Sequence, residues 1–153
     1  MDPARDGASG ASPGAAAPLE ASLAFDGAGA WAAEARRLAA EFLTAVRESH
    51  GIPVARASVE IVQLVVSELV TNARKYAPGP GRLRLRVLGT VLHIDLWDSS
   101  PVLPAAKVAD PRRVGEHGLE IVTSLTQSLT TEVTPHGKRL TATVDVTRTT
   151  HLG

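Results

Sequence analysis

Three short stretches of this sequence combine side chains able to handle a charged ligand. In SVEIVQLVVSELVTNARKYA, residues 58–77, Glu68 and Asn72 stand four positions apart. On a helix that spacing stacks a carboxylate and a carboxamide one turn apart, roughly 40° from each other. The apolar arc of this segment is wide, running from Leu64 and Ile61 through Val65, Leu69 and Val62 to Val70. The polar arc is narrow and holds Gln63, Ser67, Thr71 and Arg74. Glu68 and Asn72 lie outside it, beside Leu64 and Ile61, on a face expected to meet the rest of the protein. A buried carboxylate needs a partner. Lys75 or an arginine could serve Glu68, and loop backbone could serve Asn72; a ligand could equally serve both.

The second stretch is Asp98-Ser99-Ser100-Pro101. By strand parity Asp98 shares the core-facing side of Leu92, Ile94 and Leu96, at the point where the strand ends. It could accept a hydrogen bond from a ligand, or from its own following backbone, as Asp before Ser often does. The third is VGEHGLEIV, residues 114–122, a glycine-containing loop that opens a helix. Free N–H groups at such a helix start favour phosphate. The stretch also reads as an ordinary helix entry, and neither the P-loop nor the dinucleotide fingerprint occurs.

The elements that must position these residues follow from periodicity and punctuation. Residues 20–26 read as a short edge strand, Ala28 to Ser49 as a first helix with the stripe Leu38, Phe42, Leu43 and Val46, and Ala55 to Tyr76 as a second. Leu83, Leu85 and Val87 alternate with three arginines, and Leu92, Ile94 and Leu96 with His93, Asp95 and Trp97. A two-residue Gly89-Thr90 turn between them predicts the pairs Val87–Leu92, Leu85–Ile94 and Leu83–Leu96, with Arg84 opposite Asp95. A long loop leads to a third helix over 116–127. A last hairpin joins SLTTEVT to RLTATVDV through Pro135-His136-Gly137-Lys138. The order predicts an α+β domain: a two-layer α/β sandwich with a mixed, mostly antiparallel sheet and helices on one face. Its span is 19–148, with residues 1–18, rich in Ala, Gly, Ser and Pro, as a disordered tail and 149–153 as a frayed end.

Lys+Arg and Asp+Glu both number 16, so the formal charge is zero. That balance argues against direct nucleic-acid binding. The absence of cysteine excludes disulfides and thiolate metal sites and fits a reducing cytoplasm. No apolar run is long enough for a bilayer and no secretory signal opens the chain, so a cytoplasmic protein without membrane contact is expected.

Taken together and in order, the three stretches carry a family resemblance over roughly residues 20 to 147. Glu68-Leu69-Val70-Thr71-Asn72-Ala73 resembles the N-box of the histidine-kinase-like ATPase superfamily. Asp98-Ser99-Ser100-Pro101 resembles its first glycine box in the anti-sigma-kinase form, and Gly118-Leu119-Glu120-Ile121-Val122 its second. The short chain, with no dimerisation helix bearing a phosphoacceptor histidine, is most similar to the stand-alone anti-sigma-factor serine/threonine kinases.

The resemblance implies a Bergerat-type ATP-binding fold with ATP and Mg²⁺ as cofactors. It casts Glu68 as general base, Asn72 as the Mg²⁺ ligand, Asp98 as the acceptor for the adenine amino group, and Ser100 as a further residue binding the nucleotide. Gly115, Gly118 and Leu119 would lie by the phosphates. A lid over about residues 102–117 would bring Lys107, Arg112 and Arg113 to them. The implied partners are a sigma factor, an anti-sigma antagonist protein, or both, and homodimers are common in the family. One departure stands out. Glu116 occupies a position where the family usually has glycine, and a carboxylate 4 Å from a triphosphate charge costs about 1 kcal/mol in water and about 4 at an effective dielectric near 20. It motivates the alternative of a catalytically weak or inactive module that sequesters a regulator.

Overall fold

A computed structural model describes residues 19–26, 29, 31–76, 79–100 and 116–148. The elements run β1 (Glu20–Phe25), α1 (Trp31–His50), α2 (Arg56–Tyr76), β2 (Gly81–Leu88), β3 (Val91–Asp98), α3 (Glu116–Leu125), β4 (Ser128–Thr134) and β5 (Gly137–Asp145). The strands form one sheet in the order β1-β2-β3-β5-β4. Every pairing in it is antiparallel, so the parallel component of the expected mixed sheet is not found among the described strands. The terminal segments 1–18 and 149–153 lie outside the described residues.

Alternation builds the two layers. Leu83, Leu85 and Val87 of β2, Leu92, Ile94 and Leu96 of β3, and Leu140, Ala142 and Val144 of β5 are all buried on one face. Onto that face pack Ala35, Ala39, Phe42, Leu43 and Val46 of α1, and Val62, Val65, Val66, Leu69, Val70 and Ala73 of α2. The helical set recurs at three and four residues, the spacing that keeps one stripe on the sheet. α1 stops where Gly51 takes φ 69° and its N–H bonds back to the Arg47 carbonyl at 3.2 Å, a left-handed cap that glycine adopts without strain.

The β2–β3 register is the one the Gly89-Thr90 turn predicts: Val87 faces Leu92, Leu85 faces Ile94, Leu83 faces Leu96 and Arg84 faces Asp95. Three expectations need correction. Leu64, placed in the apolar arc of α2, is 40% exposed. α3 ends at Leu125 rather than near Gln127, because the Gln127 N–H is taken by the Thr143 carbonyl at 2.8 Å and the chain has entered the sheet. The last hairpin turns on Pro135-His136 alone: Thr134 pairs with Gly137, so Gly137 and Lys138 belong to β5.

The helix-free face of the sheet is polar. Arg82 and Arg84 lie over the Trp97 ring at 4.4 and 4.9 Å from its centroid. Asp95 is wholly buried there. Its Oδ2 accepts from Arg84 and Arg86, both at 3.2 Å from their Nε, and its Oδ1 accepts from the Thr141 hydroxyl at 2.8 Å. Burial alone would raise this carboxyl's pKa. The hydrogen bonds from Thr141 and Arg84 and the charges of Arg86 and Arg84 outweigh it and hold the pKa below the usual carboxylate range. Because the folded pKa is depressed, the stabilisation is present above the ordinary Asp pKa and is lost as pH falls through the folded value. Thr141→Val should therefore cost about 1–3 kcal/mol in urea unfolding at neutral pH. The difference from wild type should shrink in acid; equal stabilities at neutral pH would contradict this account.

Candidate functional site

The faces of α2 divide sharply by partner. One flank is tied to α1 and its approach: Gln63 Nε2 donates to the Arg36 carbonyl at 3.1 Å, Arg36 donates to the Ser67 hydroxyl at 3.1 Å, and Arg74 donates to the Gly29 carbonyl at 3.2 Å. These are residues of the polar arc, which thus faces a neighbouring helix and its entry. Glu68 and Asn72 lie on the opposite flank of the buried stripe, by the 100° step of the helix. α3 also packs on α2. Both residues are half-buried. Among the described residues no hydrogen bond or ion pair holds either side chain. The structural pairing open to them from sequence, Glu68 with Lys75 or an arginine, is not made; Lys75 is exposed.

Asp98 ends β3 on the helix side of the sheet and is buried, as its parity predicts. Its Oδ1 accepts the Ser100 N–H at 2.9 Å, the turn contact typical of Asp before Ser. It also has a partner that sequence reasoning missed. Lys138 Nζ lies 3.0 Å from Oδ1 and 2.9 Å from Oδ2, with side-chain exposures of 4% for the lysine and 2% for the aspartate. The lysine donates further to the Ser100 carbonyl at 3.3 Å. Asp98 and Lys138 are direct partners across β3 and β5. The signal was available: with a two-residue turn, Lys138 takes the core-facing parity of Leu140, where a cation demands a counter-charge.

Gly118 and Leu119 lie in the first turns of α3, and Glu116 is its first residue. Lys107, Arg112, Arg113 and Gly115, the residues expected to reach the phosphates from a lid, lie outside the described residues. Among the described residues no cluster of histidine and acidic side chains could hold a metal ion by itself. An Mg²⁺ carried on a nucleotide's phosphates needs only one or two protein oxygens, and the unpartnered Asn72 carboxamide fits that need. The base end fits less well, since the Asp98 carboxylate is already engaged. A cavity of about 710 Å³ opens at the same end of the sheet; Asp98 and Ser99 line it together with Arg82, Trp97 and His136, whereas Glu68 and Asn72 do not.

The family model described as the histidine kinase-like ATPase domain matches residues 30–144, well over half of the chain. The chain belongs to that family. Domains of this family bind ATP, generally with Mg²⁺, and membership supports an ATP-binding regulatory function. Among solved structures the ATPase domain is similar to the histidine kinase domain of the blue-light activated histidine kinase EL346 from Erythrobacter litoralis. The two share 16% identity at a TM-score of 0.48, over 73% of this chain and 61% of that one. No curated protein matches the chain. No helix among the described residues is long and apolar enough to cross a membrane.

If Glu68 and Asn72 are held for a ligand rather than for the fold, removing them should leave stability almost unchanged. Glu68→Gln should stay within about 0.5 kcal/mol of wild type in chemical unfolding. Asn72→Ala should match or slightly exceed wild type, because alanine is the better helix former. A loss above about 1 kcal/mol in either would assign them a structural role.

Proposed function

We propose that this ATPase domain is a cytoplasmic regulatory protein that binds Mg-ATP and transfers the γ-phosphoryl group to a serine or threonine of an anti-sigma antagonist protein, its other partnership being the sequestration of a sigma factor. The observation that carries the reading is the half-buried Glu68–Asn72 pair, one turn apart on α2 and without protein partners. In this reading Asn72 offers its carboxamide oxygen to the Mg²⁺ that the phosphates carry. Glu68 takes the proton from the attacking hydroxyl. The new bond forms between that oxygen and the γ-phosphorus, the bond to the β-phosphate oxygen breaks, and ADP leaves. Little covalent chemistry falls to the protein; it positions the reactants and neutralises charge. Gly118 and Leu119, at the start of α3, supply backbone near the phosphates.

A second reading is favoured by a specific observation. The buried Lys138–Asp98 pair occupies the group expected to recognise adenine, and Glu116 opens α3. Both fit a catalytically weak module that sequesters its regulatory partner and responds poorly to nucleotide. Transfer of labelled γ-phosphate to the cognate antagonist, at saturating Mg-ATP, separates the two. The kinase reading predicts transfer that falls about 10²–10⁴-fold in Glu68→Gln, while the complex with the antagonist persists. Tight partner binding with no transfer by wild type would leave sequestration as the function.

A further inference from the structure

The base-recognition end of the proposed nucleotide site already holds a cation. Resting on the ATP-binding reading above, we propose that Lys138 is a resident counter-ion that closes the Asp98 acceptor, so that ATP binds only in competition with it and therefore weakly.

The geometry is that of a closed set. A carboxylate offers about four lone-pair sites. At Asp98, Oδ1 receives Ser100 N–H and Lys138 Nζ, and Oδ2 receives Lys138 Nζ again. The remaining site belongs to a side chain only 2% exposed, paired with a lysine only 4% exposed. The ammonium group is equally committed, its donors going to the two carboxylate oxygens and the Ser100 carbonyl. An adenine amino group is a neutral donor. It cannot match the charge-assisted bonds that it would have to displace.

The backbone builds this arrangement in. Gly137 runs so close to β3 that a Cβ there would overlap the Asp98 carbonyl oxygen and crowd the Ser99 backbone. That approach, set by the Pro135-His136 turn, brings the next residue against the carboxylate. Lys138 is thus held by register, and moving it means moving the β4–β5 hairpin or extracting a buried ammonium.

The inference is tested by titrating Mg-ATP calorimetrically into the full-length wild type, Lys138→Thr and Lys138→Arg, with circular dichroism confirming the fold of each. Lys138→Thr frees a buried carboxylate and should bind ATP at least about 100-fold more tightly than wild type, about 2.8 kcal/mol. Adding Asp98→Asn to it should abolish the gain. Lys138→Arg keeps the cation and should stay weak. If the threonine variant does not fold, Lys138→Gln, which retains a donor without the charge, is judged by the same outcomes. Tight, Asp98-dependent binding by wild type that does not improve on removing Lys138 would overturn the inference and leave the ATP site standing. Absence of ATP binding in every folded variant would overturn both.

Discussion

A two-residue turn leaves the strands it joins no freedom of register, and this domain has two of them. Gly89-Thr90 fixes β2 against β3, and Pro135-His136 fixes β4 against β5. Because side chains alternate with period two, each turn decides which residues enter the core and which face away. Slipping either strand by one position would drive arginines or threonines into the helix layer. The same parity places Asp98 and Lys138 on the core side at adjoining strand ends, where two buried charges must meet. Replacing such a pair by apolar residues is often tolerated, whereas removing one member is strongly destabilising. A buried pair of this kind is therefore a poor device for stability alone.

The second organising fact is the division of labour around α2. Its stripe of valines, leucine and alanine packs on the sheet, and one flank is hydrogen-bonded to α1 and Gly29. The other flank carries the acid and the amide, to which no side-chain hydrogen bond or ion pair is made among the described residues. A helix anchored on two sides presents its third with little freedom, which would hold the two side chains in the fixed relation that the proposed function requires of them. Family membership supports binding of ATP at such a domain. In the proposed function Glu68 and Asn72 would meet the phosphates of that ligand, and the Lys138–Asp98 pair would oppose its base.

Much of this was legible in the sequence for identifiable reasons. The β2–β3 register followed from a glycine turn between two alternating runs, each confirming the other. The separation of Glu68 and Asn72 from the polar arc needed only helical geometry. Lys138 was missed because Pro135-His136-Gly137-Lys138 read as a four-residue connection, which hid its parity; the shorter turn depends on Gly137 passing close to β3, a tertiary fact. The burial of Asp95 on the helix-free face was equally hidden. Arg84 lies opposite it in the predicted register, but Thr141 reaches it only through the β3–β5 pairing, and Arg86 reaches across from beside its neighbour. Leu64 shows the opposite failure: an apolar residue at the edge of the arc, left exposed where no layer reaches it.

The proposed function requires that the Glu68–Asn72 flank of α2, the end of β3 and the start of α3 form one nucleotide site. It is tested most directly by following backbone amide resonances while Mg-ATP is added to the millimolar range, which reports weak binding as readily as tight. Shifts should gather on Glu68 and Asn72, on Asp98 to Ser100, on Lys138 and on Gly118 and Leu119, with the α1-facing flank at Gln63 and Ser67 quiet. Shifts confined to Arg82, Trp97 and His136 with Glu68, Asn72, Gly118 and Leu119 quiet, or no shifts at all, would contradict it.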